Sequence, residues 1–324
     1  MAISIEAAVT PLPAWQFNPV TDATQIHRSI DAVHFDGNTV IDILTKRDIR
    51  QRIKIAKVYK NMFKKTLSLH LAMTTYLLLD DIMHFLLGIM KPLPCYYAGE
   101  LHNAIAPIGT DEDTIIDILA TLNNHYKKKV IEAYRRRYHH SLTKAVTSET
   151  SGSLRKLLLE MIRVNRSEST KVDDALVLKQ TSAIVDNCIY GRDPEPLFFS
   201  IATHESYPHL AAISKLYLKF SGESINHYIL LEFHKDVAMA LFTIMNIAEE
   251  GLPAFFANRL HKAMNGLGTN EALLSRIVYG RSEIDLVTVA SEFKRKFHGN
   301  LSKWVEDDTS GYYKRALLNV IGKH

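Results

Sequence analysis

Two segments of this chain pair a glycine turn with an acidic residue that lies 40 positions further along. In one segment Gly109 is followed by Glu149, and in the other Gly268 is followed by Asp308. The residues around the two glycines also correspond, after a shift of 159 positions. A glycine turn can aim several main-chain carbonyl oxygens at one point, and a distant carboxylate adds further oxygens, which is the ligand set of a hard divalent cation such as Ca²⁺. The spacing therefore indicates calcium sites in loops.

Two further copies of the same unit emerge at smaller shifts. A shift of 75 positions aligns residues 26–30 with residues 101–105, and a shift of 76 positions aligns Glu232 with Asp308. Self-similarity at a fixed period is typical of a repeat architecture. We therefore predict a short N-terminal tail over 1–20, repeat I over 21–92, repeat II over 93–166, a polar linker over 167–178, repeat III over 179–252 and repeat IV over 253–324.

Within each unit the apolar residues recur with a helical period. Between Ile115 and Leu122 they fall at i, i+3, i+4 and i+7, which is one face of an amphipathic helix. Prolines cluster at the junctions between units, where helices should stop. Thr110 and Thr269 each follow a glycine turn and are predicted N-caps of the next helix. The fold class predicted from these patterns is all-α.

Composition limits the choice of function. With 47% hydrophobic residues the chain can bury an ample core, and a formal net charge of only +4 gives no general argument for nucleic acid. Two cysteines fit a reducing compartment. The most apolar stretch, residues 69–90, is interrupted by Asp80, Asp81 and His84, so it does not resemble a membrane span. We predict a cytoplasmic protein that can lie on a membrane surface without crossing it.

Together these features resemble the annexin family. The resemblance rests on the motif Met-x-Gly-x-Gly-Thr at 264–269, on Asp-Thr-Ser-Gly at 308–311, and on two further runs at 281–286 and 292–297. It extends over the whole chain after about residue 20, and the short tail through residues 13–19 is similar to that of compact annexins. The resemblance implies five helices per repeat, four repeats in a curved right-handed superhelical disc, and calcium-dependent attachment of the convex face to anionic phospholipid.

Repeat IV contains every part of such a site. The expected calcium ligands are the carbonyl oxygens of Met264, Gly266 and Gly268 and the carboxylate of Asp308. These supply about five of the six to eight oxygens that calcium takes, and a lipid phosphate can fill the remaining positions. We predict this as the main site, with Ca²⁺ bridging the protein to the membrane.

Repeat II has a second candidate site. Its expected ligands are the carbonyl oxygens of Ile105, Pro107 and Gly109 and the carboxylate of Glu149. Pro107 stands where repeat IV has its first glycine, and proline fixes φ near −65°. If the loop needs a positive φ at that position, one carbonyl oxygen is turned away from the ion. Binding by this loop is left open.

The other two repeats lack parts of the site. In repeat III Glu232 stands at the acid position, but Arg192 replaces the second glycine and Lys235 replaces the glycine of the Ser-Gly pair. Glu232 remains a candidate ligand only for a site of different geometry; otherwise we predict a surface acid paired with a neighbouring cation. In repeat I both glycine positions and the acid position are lost, the latter to Thr74. The predicted calcium load is therefore uneven among the repeats.

Two functions remain open at this stage. The first is a non-enzymatic, calcium-dependent protein of the cytosolic face of anionic membranes, monomeric in solution, with lateral assembly on membranes and a protein partner at the tail as open alternatives. The second is an annexin-like scaffold that binds a protein or a polyanion, such as heparin or RNA, largely without calcium. Two degraded repeats and the altered loop at Pro107 motivate the second function. No specific nucleic-acid partner is predicted.

Three other signals are interpreted as structural. The basic runs 127–129 and 135–137 are predicted to spread around the solvated face of a helix. The fifteen histidines are interpreted as structural or surface residues, since no His–acid pair at i, i+4 is recognised that would indicate zinc. Trp15 is predicted to anchor the tail.

Overall fold

The structure is a computed structural model of the chain, and it describes residues 6–75, 80–105 and 109–322. These residues form twenty α-helices and contain no β-strand. In chain order the helices fall into four sets of five, so the prediction of an all-α fold with four five-helix repeats is confirmed. Within the described ranges, no helix is both long and apolar enough to cross a membrane.

The helices have the following bounds. The first set is α1 (Pro19–Ile30), α2 (Gly37–Thr45), α3 (Ile49–Phe63), α4 (Leu67–Thr75) and α5 (Asp80–Ile89). The second is α6 (Leu93–Ala104), α7 (Glu112–Thr121), α8 (Asn124–Tyr138), α9 (Leu142–Glu149) and α10 (Gly152–Ile162). The third is α11 (Asp174–Tyr190), α12 (Glu195–His204), α13 (Tyr207–Ser221), α14 (Ile225–Glu232) and α15 (Lys235–Glu250). The fourth is α16 (Leu252–Met264), α17 (Glu271–Ser282), α18 (Leu286–Phe297), α19 (Leu301–Asp308) and α20 (Gly311–Ile321).

The third helix of every set ends in a left-handed residue at the corresponding position. Lys64, His139 and His298 cap α3, α8 and α18 with φ of 58°, 59° and 56°, and Gly222 caps α13 with φ of 78°. A positive φ is uncommon for residues that carry a Cβ. Three such residues at equivalent places show that the sets share a backbone conformation as well as a sequence period.

The chain forms two compact units. The first contains α1–α5, α17–α20 and most of α16; the second contains α7–α15 and most of α6. Each has its own apolar core, as the alternation of apolar and polar helix faces requires. The first core includes Ile26, Ile41, Ile55, Phe85, Phe293 and Leu317, and the second includes Ile115, Leu119, Val130, Leu157, Leu210 and Leu241.

One cation is buried at the same position in two repeats. In the first unit the Arg52 guanidinium donates to the Leu44 carbonyl at 2.7 Å and to the Ile89 carbonyl at 3.0 Å. A shift of 75 places Lys127 at this position, where its ammonium donates to the Met161 carbonyl at 2.7 Å. Lys127 is only 3% exposed, and burial lowers its pKa to about 8. The prediction that the whole run 127–129 is solvated is therefore wrong for its first member.

The N-terminal tail is fixed to the first unit by main-chain bonds. The amide of Val9 donates to the Ser282 carbonyl at 2.8 Å, and the Gln51 side chain donates to the Leu12 carbonyl at 2.9 Å. Trp15, in contrast, is 82% exposed. The tail is therefore anchored through its backbone, and the prediction that Trp15 anchors it is wrong.

The segment between α10 and α11 is held in place within the second unit. The Arg166 side chain donates to the carbonyls of Ala202 and Glu205, at 2.7 and 2.8 Å, and the Ser167 amide donates to the His204 carbonyl at 2.6 Å. Helix α11 begins at Asp174, inside the segment 167–178 that the sequence assigned to a linker. The irregular part is thus shorter than the polar stretch and is tied to helix α12.

Candidate calcium sites

The loop that follows α16 combines a helix end with a left-handed glycine. The last four carbonyls of a helix lack partners within it, and here Ala263 accepts from the Asn270 amide at 2.8 Å while Met264 is the last helical residue. Gly268 has φ of 88°, and no atom lies within 4 Å of the place where a Cβ would stand. The φ of Gly266 is not positive. The backbone conformation therefore requires glycine at 268 but not at 266.

The residue after each glycine turn is not the N-cap that the sequence indicated. Asn270 caps α17 by accepting from the Leu273 amide at 2.9 Å, and Asp111 caps α7 by accepting from the Thr114 amide at 3.0 Å. The prediction that Thr269 and its repeat II counterpart Thr110 are N-caps is therefore wrong by one position in each repeat. Because it does not cap the helix, the Thr269 hydroxyl is available for another contact.

That contact joins the two halves of the repeat IV motif. The Thr269 hydroxyl lies 2.7 Å from Oδ2 of Asp308 and 2.8 Å from its main-chain oxygen. Since Thr269 directly follows Gly268, the carboxylate lies beside the glycine turn although 40 residues separate the two in sequence. Asp308 is the last residue of α19, where the negative end of the helix dipole disfavours a carboxylate and favours a cation.

A cavity of about 440 Å³ opens beside the same carboxylate. Its lining residues include four acids and no Lys or Arg: Asp81, Glu271, Asp307 and Asp308. Tyr313 lies in its wall, with its hydroxyl 2.7 Å from that of Ser275, and burial raises the pKa of this phenol. The loop 264–268 does not line the cavity. Asp307 is paired with Lys303 at 2.8 Å, so Asp81 and Glu271 are the acids that strengthen the negative potential at Asp308. The candidate carbonyl ligands belong to the neighbouring loop.

Repeat II reproduces the backbone of both halves. Gly109 has φ of 84°, close to the 88° of Gly268. Glu149 is the last residue of α9, and Gly152 opens the next helix with φ of 57°, against 59° for its repeat IV counterpart. Ile105 directly follows α6, whereas Pro107 lies outside the described residues. Of the four predicted ligands, three are therefore at positions equivalent to those in repeat IV.

Two features bear on how well repeat II could bind an ion. The objection to Pro107 assumed a positive φ at that position, but its counterpart Gly266 does not have one. A positive φ at this position is thus no objection to Pro107. On the other hand, Nε of Arg155 donates to the Thr150 carbonyl at 2.6 Å, which puts a cation one residue from the carboxylate of Glu149. A neighbouring positive charge lowers the affinity for calcium.

Repeat III has a different loop. Helix α11 runs to Tyr190 and ends at Gly191, and the Arg192 guanidinium stacks over the Tyr190 ring at 5.3 Å. Glu232 ends α14 and is exposed, and in the described part of the chain it forms no ion pair. The predicted pairing of this acid with a neighbouring cation is therefore wrong. Lys235 starts the following helix without the positive φ of the glycines in repeats II and IV.

Repeat I lacks the acid as well as the glycines. Thr74 occupies the acid position, and its hydroxyl donates to the His70 carbonyl at 2.9 Å. In the loop after α1, Asp36 caps α2 through the Thr39 amide at 3.2 Å, and these bonds lower the pKa of its carboxyl. The loop therefore begins a helix as in repeats II and IV, but no carboxylate stands at the acid position.

Apolar side chains stand at the tips of two equivalent loops. Leu267 lies between the glycines of repeat IV and is fully exposed, and Val33, at the same position in repeat I, is 96% exposed. Single exposed apolar residues are common. Here, however, two exposed apolar residues stand at equivalent loop tips of the first unit. Contact with water gives no reason for an apolar side chain at this position in both repeats.

Sequence reasoning missed two groups of residues. The contact between Thr269 and Asp308 had a signal, since a threonine follows the second glycine in both candidate loops. The statement that no histidine pairs with an acid at i, i+4 is wrong, because His27 lies 3.2 Å from Asp31, and His70 reaches the same carboxylate at 3.0 Å.

Comparison with known proteins agrees with the fold and the repeats. The Annexin family model matches residues 21–74, 96–161 and 255–320, which leaves all of repeat III unmatched. Annexin A6 of Mus musculus is 35% identical over 324 residues, which cover 98% of this chain and 48% of that protein. The chain thus spans about half the length of annexin A6. Annexin A1 of Rattus norvegicus is 35% identical over 320 residues, covering 98% and 90%.

A solved structure gives the same result in three dimensions. The structure titled annexin III superposes with a TM-score of 0.92 at 32% identity, covering 99% of this chain and 98% of that one. The match of the family model to more than half of the chain, with these two lines of similarity, shows that the chain belongs to the annexin family.

Proposed function

We propose that this protein binds anionic phospholipid membranes in a calcium-dependent manner and has no catalytic activity. Annexins as a family bind calcium and phospholipid, which supports the general statement. The finer proposal is that Ca²⁺ is held by the carbonyl oxygens of Met264, Gly266 and Gly268 and by the carboxylate of Asp308. A lipid phosphate would complete the coordination of the ion.

One observation carries this assignment. The hydroxyl of Thr269 lies 2.7 Å from the Asp308 carboxylate, so a glycine turn and an acid from opposite ends of repeat IV adjoin each other. The donor set consists of main-chain and carboxylate oxygens, which suits a hard cation such as calcium and not a soft one. These donors number about five, and calcium takes six to eight, so positions remain for oxygens from outside the protein.

The surroundings of the loop favour a membrane as the source of those oxygens. Leu267, at the tip of the same loop, is fully exposed and can enter the boundary between headgroups and acyl chains. Contact of this side chain with lipid would occur together with phosphate binding to the ion. Calcium and membrane would then each raise the affinity for the other, because coupling between two ligands is reciprocal.

The repeats would contribute unequally. Repeat II keeps the left-handed Gly109 and the acid Glu149, but the Arg155 guanidinium binds the carbonyl of the residue after that acid. We therefore propose a second and weaker calcium site, with Ile105 and Pro107 as its other ligands. In repeat III, Arg192 and Lys235 replace glycines of the motif to which Glu232 belongs. We therefore assign it no calcium at physiological concentrations.

A sedimentation assay tests the proposal. Wild type, Asp308→Ala and Glu232→Ala would be pelleted with phosphatidylserine vesicles and with neutral phosphatidylcholine vesicles over a range of calcium concentrations. Loss of one charged ligand should raise the calcium midpoint at least about tenfold, equivalent to about 1.4 kcal/mol. Glu232→Ala is a matched control, since it removes an exposed acid from the end of the corresponding helix. If Asp308→Ala pelleted at the wild-type calcium concentration, the assignment of the main site would be wrong.

A second function has one supporting observation. Along α8, Lys128, Lys129 and residues 135–137 are exposed and basic, which would allow calcium-independent binding of a polyanion. Binding to a heparin column in EDTA, released by moderate salt, would favour this scaffold function. Retention only when calcium and anionic vesicles are present would favour the first.

We also propose the setting in which the protein acts. It would reside in the cytoplasm and attach to the cytosolic face of membranes, as a monomer in solution with lateral assembly after attachment. Trp15 is exposed in the described part of the tail, and we propose that a protein partner would bind this side chain.

A further inference from the structure

Three side chains that could ligate a metal meet at the end of α1, away from the calcium sites proposed above. His27 lies in the last turn of this helix, Asp31 caps it one turn later, and His70 comes from α4. Nε2 of His27 is 3.2 Å from Oδ2 of Asp31, and Nε2 of His70 is 3.0 Å from Oδ1. The ligating atoms all lie within 4.8 Å of one another.

The two imidazoles are oriented from behind by one buried tyrosine. The Tyr59 hydroxyl lies 3.0 Å from Nδ1 of His27 and 2.6 Å from Nδ1 of His70. Tyr59 is fully buried, and Phe63 stacks on the His27 ring with centroids 3.6 Å apart. Both rings therefore turn Nε2 toward the same carboxylate. An outer hydrogen bond that fixes the ring of a histidine is the usual support of a metal-binding imidazole. Ligation through Nε2 places the proton on Nδ1, and the Tyr59 oxygen can accept from both rings.

The spacing of the three side chains fits a small tetrahedral cation. Zinc bonds to imidazole nitrogen and carboxylate oxygen are about 2.0–2.2 Å long, so two ligands of a tetrahedral ion are about 3.4 Å apart. The two nitrogen–oxygen distances, 3.2 and 3.0 Å, are close to that separation, and each imidazole faces a different oxygen of the Asp31 carboxylate. Two imidazoles with one carboxylate suit zinc and neighbouring transition metals far better than calcium.

Comparison of the repeats separates the shared scaffold from what repeat I adds. His102 stacks on Tyr138 at 3.7 Å and His261 stacks on Phe297 at 3.9 Å, as His27 does on Phe63. A histidine on an aromatic ring is therefore common to three repeats and is explained by packing. The second imidazole is particular to repeat I, because the position of His70 is occupied by alanine in repeat II and by tryptophan in repeat IV.

We propose that His27, Asp31 and His70 form a binding site for a zinc-class divalent metal, with a fourth position open to solvent. The accessibility of the parts fits this assignment, since the Asp31 side chain is 47% exposed while the side chains of His27 and His70 are 24% and 10% exposed. The ion can thus enter from the carboxylate side. The positive charge of Lys65 acts on His70 and opposes the binding of a cation.

Zinc titration of the metal-free full-length protein by calorimetry tests the site. Wild type would be compared with Asp31→Asn, which keeps the shape of the side chain and removes its charge. His102→Asn is the matched control, because it deletes a histidine of the same packing environment in a repeat whose sequence has alanine at the position of Asp31. We expect the tightest class of zinc sites to weaken at least about tenfold in Asp31→Asn. In the control it should change less than about twofold, as expected for an independent site.

Two further measurements distinguish ligation from helix capping. Asp31→Cys replaces the carboxylate by a thiolate, a strong zinc ligand, so it should restore tight zinc binding and give the visible absorption bands of tetrahedral cobalt when Co²⁺ is added. Circular dichroism and thermal unfolding without metal would establish that each variant folds. If Asp31→Asn folds and binds as many zinc ions as wild type with the same affinity, or if His102→Asn loses as much affinity, the proposal is overturned.

Discussion

Replacing Thr269 with valine should weaken calcium-dependent membrane binding without removing any calcium ligand. The Thr269 hydroxyl lies 2.7 Å from Oδ2 of Asp308 and 2.8 Å from its main-chain oxygen. Valine has the same branched shape, so the packing of the loop is retained while both contacts are lost. Asp308 would then be free to adopt other rotamers, and the ion would have to select the productive one.

The size of the effect follows from the strength of that hydrogen bond. A bond to a charged group contributes about 1.5–3 kcal/mol when it is buried, and this contact is partly exposed to water. We therefore expect a loss of about 1 kcal/mol, which corresponds to a rise of about fivefold in the calcium midpoint. The free energy of unfolding in EDTA should fall by about the same amount, since the bond is present without calcium.

The control variant is Thr110→Val in repeat II. Thr110 occupies the equivalent position, but its described contact is only with the main-chain oxygen of Glu149, at 3.4 Å. Vesicle sedimentation over a calcium series, with thermal unfolding in EDTA beside it, would compare the two variants with wild type. A calcium midpoint for Thr269→Val equal to that of wild type, or lower, would refute the idea that this hydroxyl positions the carboxylate.

Two other predictions follow from the backbone and from burial. Because φ is 88° at Gly268, Gly268→Ala should lower the free energy of unfolding by about 1 kcal/mol and raise the calcium midpoint. Gly266→Ala should have less than half of either effect, because φ is not positive there. Urea unfolding measures the first effect and vesicle sedimentation measures the second. The pKa of buried Lys127 is about 8 in the folded state and 10.5 in the unfolded state, so between these values the unfolded state holds more protons and stability rises with pH. Relative to Lys127→Met, wild type should gain about 3 kcal/mol between pH 8 and pH 10.5 in denaturant titrations, and a difference that stays constant with pH would contradict the burial of the charge.

The fold could be predicted from the sequence because its signals are repeated. The apolar period in each unit and the shifts of 75, 76 and 159 positions indicated helices and four copies, and each copy strengthened the interpretation of the others. The details that failed were single-residue contacts. Thr269 and Asn270 are both good N-cap residues, and the choice between them depends on loop geometry that sequence spacing does not contain.

The candidate site was predictable in its parts but not in its arrangement. The 40-residue spacing identified Gly268 and Asp308, yet the contact that brings them together involves Thr269, which was assigned to another role. The effect of Pro107 on calcium binding could not be predicted from the sequence either, because it depends on the φ of the equivalent glycine, Gly266. Lys127 aligns with Arg52, and both side chains are buried. The recurrence of a cation at this position in two repeats was the sequence signal that could have set Lys127 apart from the rest of its basic run.

A crystal of the protein grown with calcium and measured for anomalous scattering tests the central proposal most directly. We predict an ion within coordination distance of the main-chain oxygens of Met264, Gly266 and Gly268 and of the Asp308 carboxylate, about 2.3–2.6 Å from each. Weaker density, or density that appears only at higher calcium, is predicted in the loop before α7. A crystal in which calcium occupies other parts of the molecule while the loop after α16 stays empty would contradict the account.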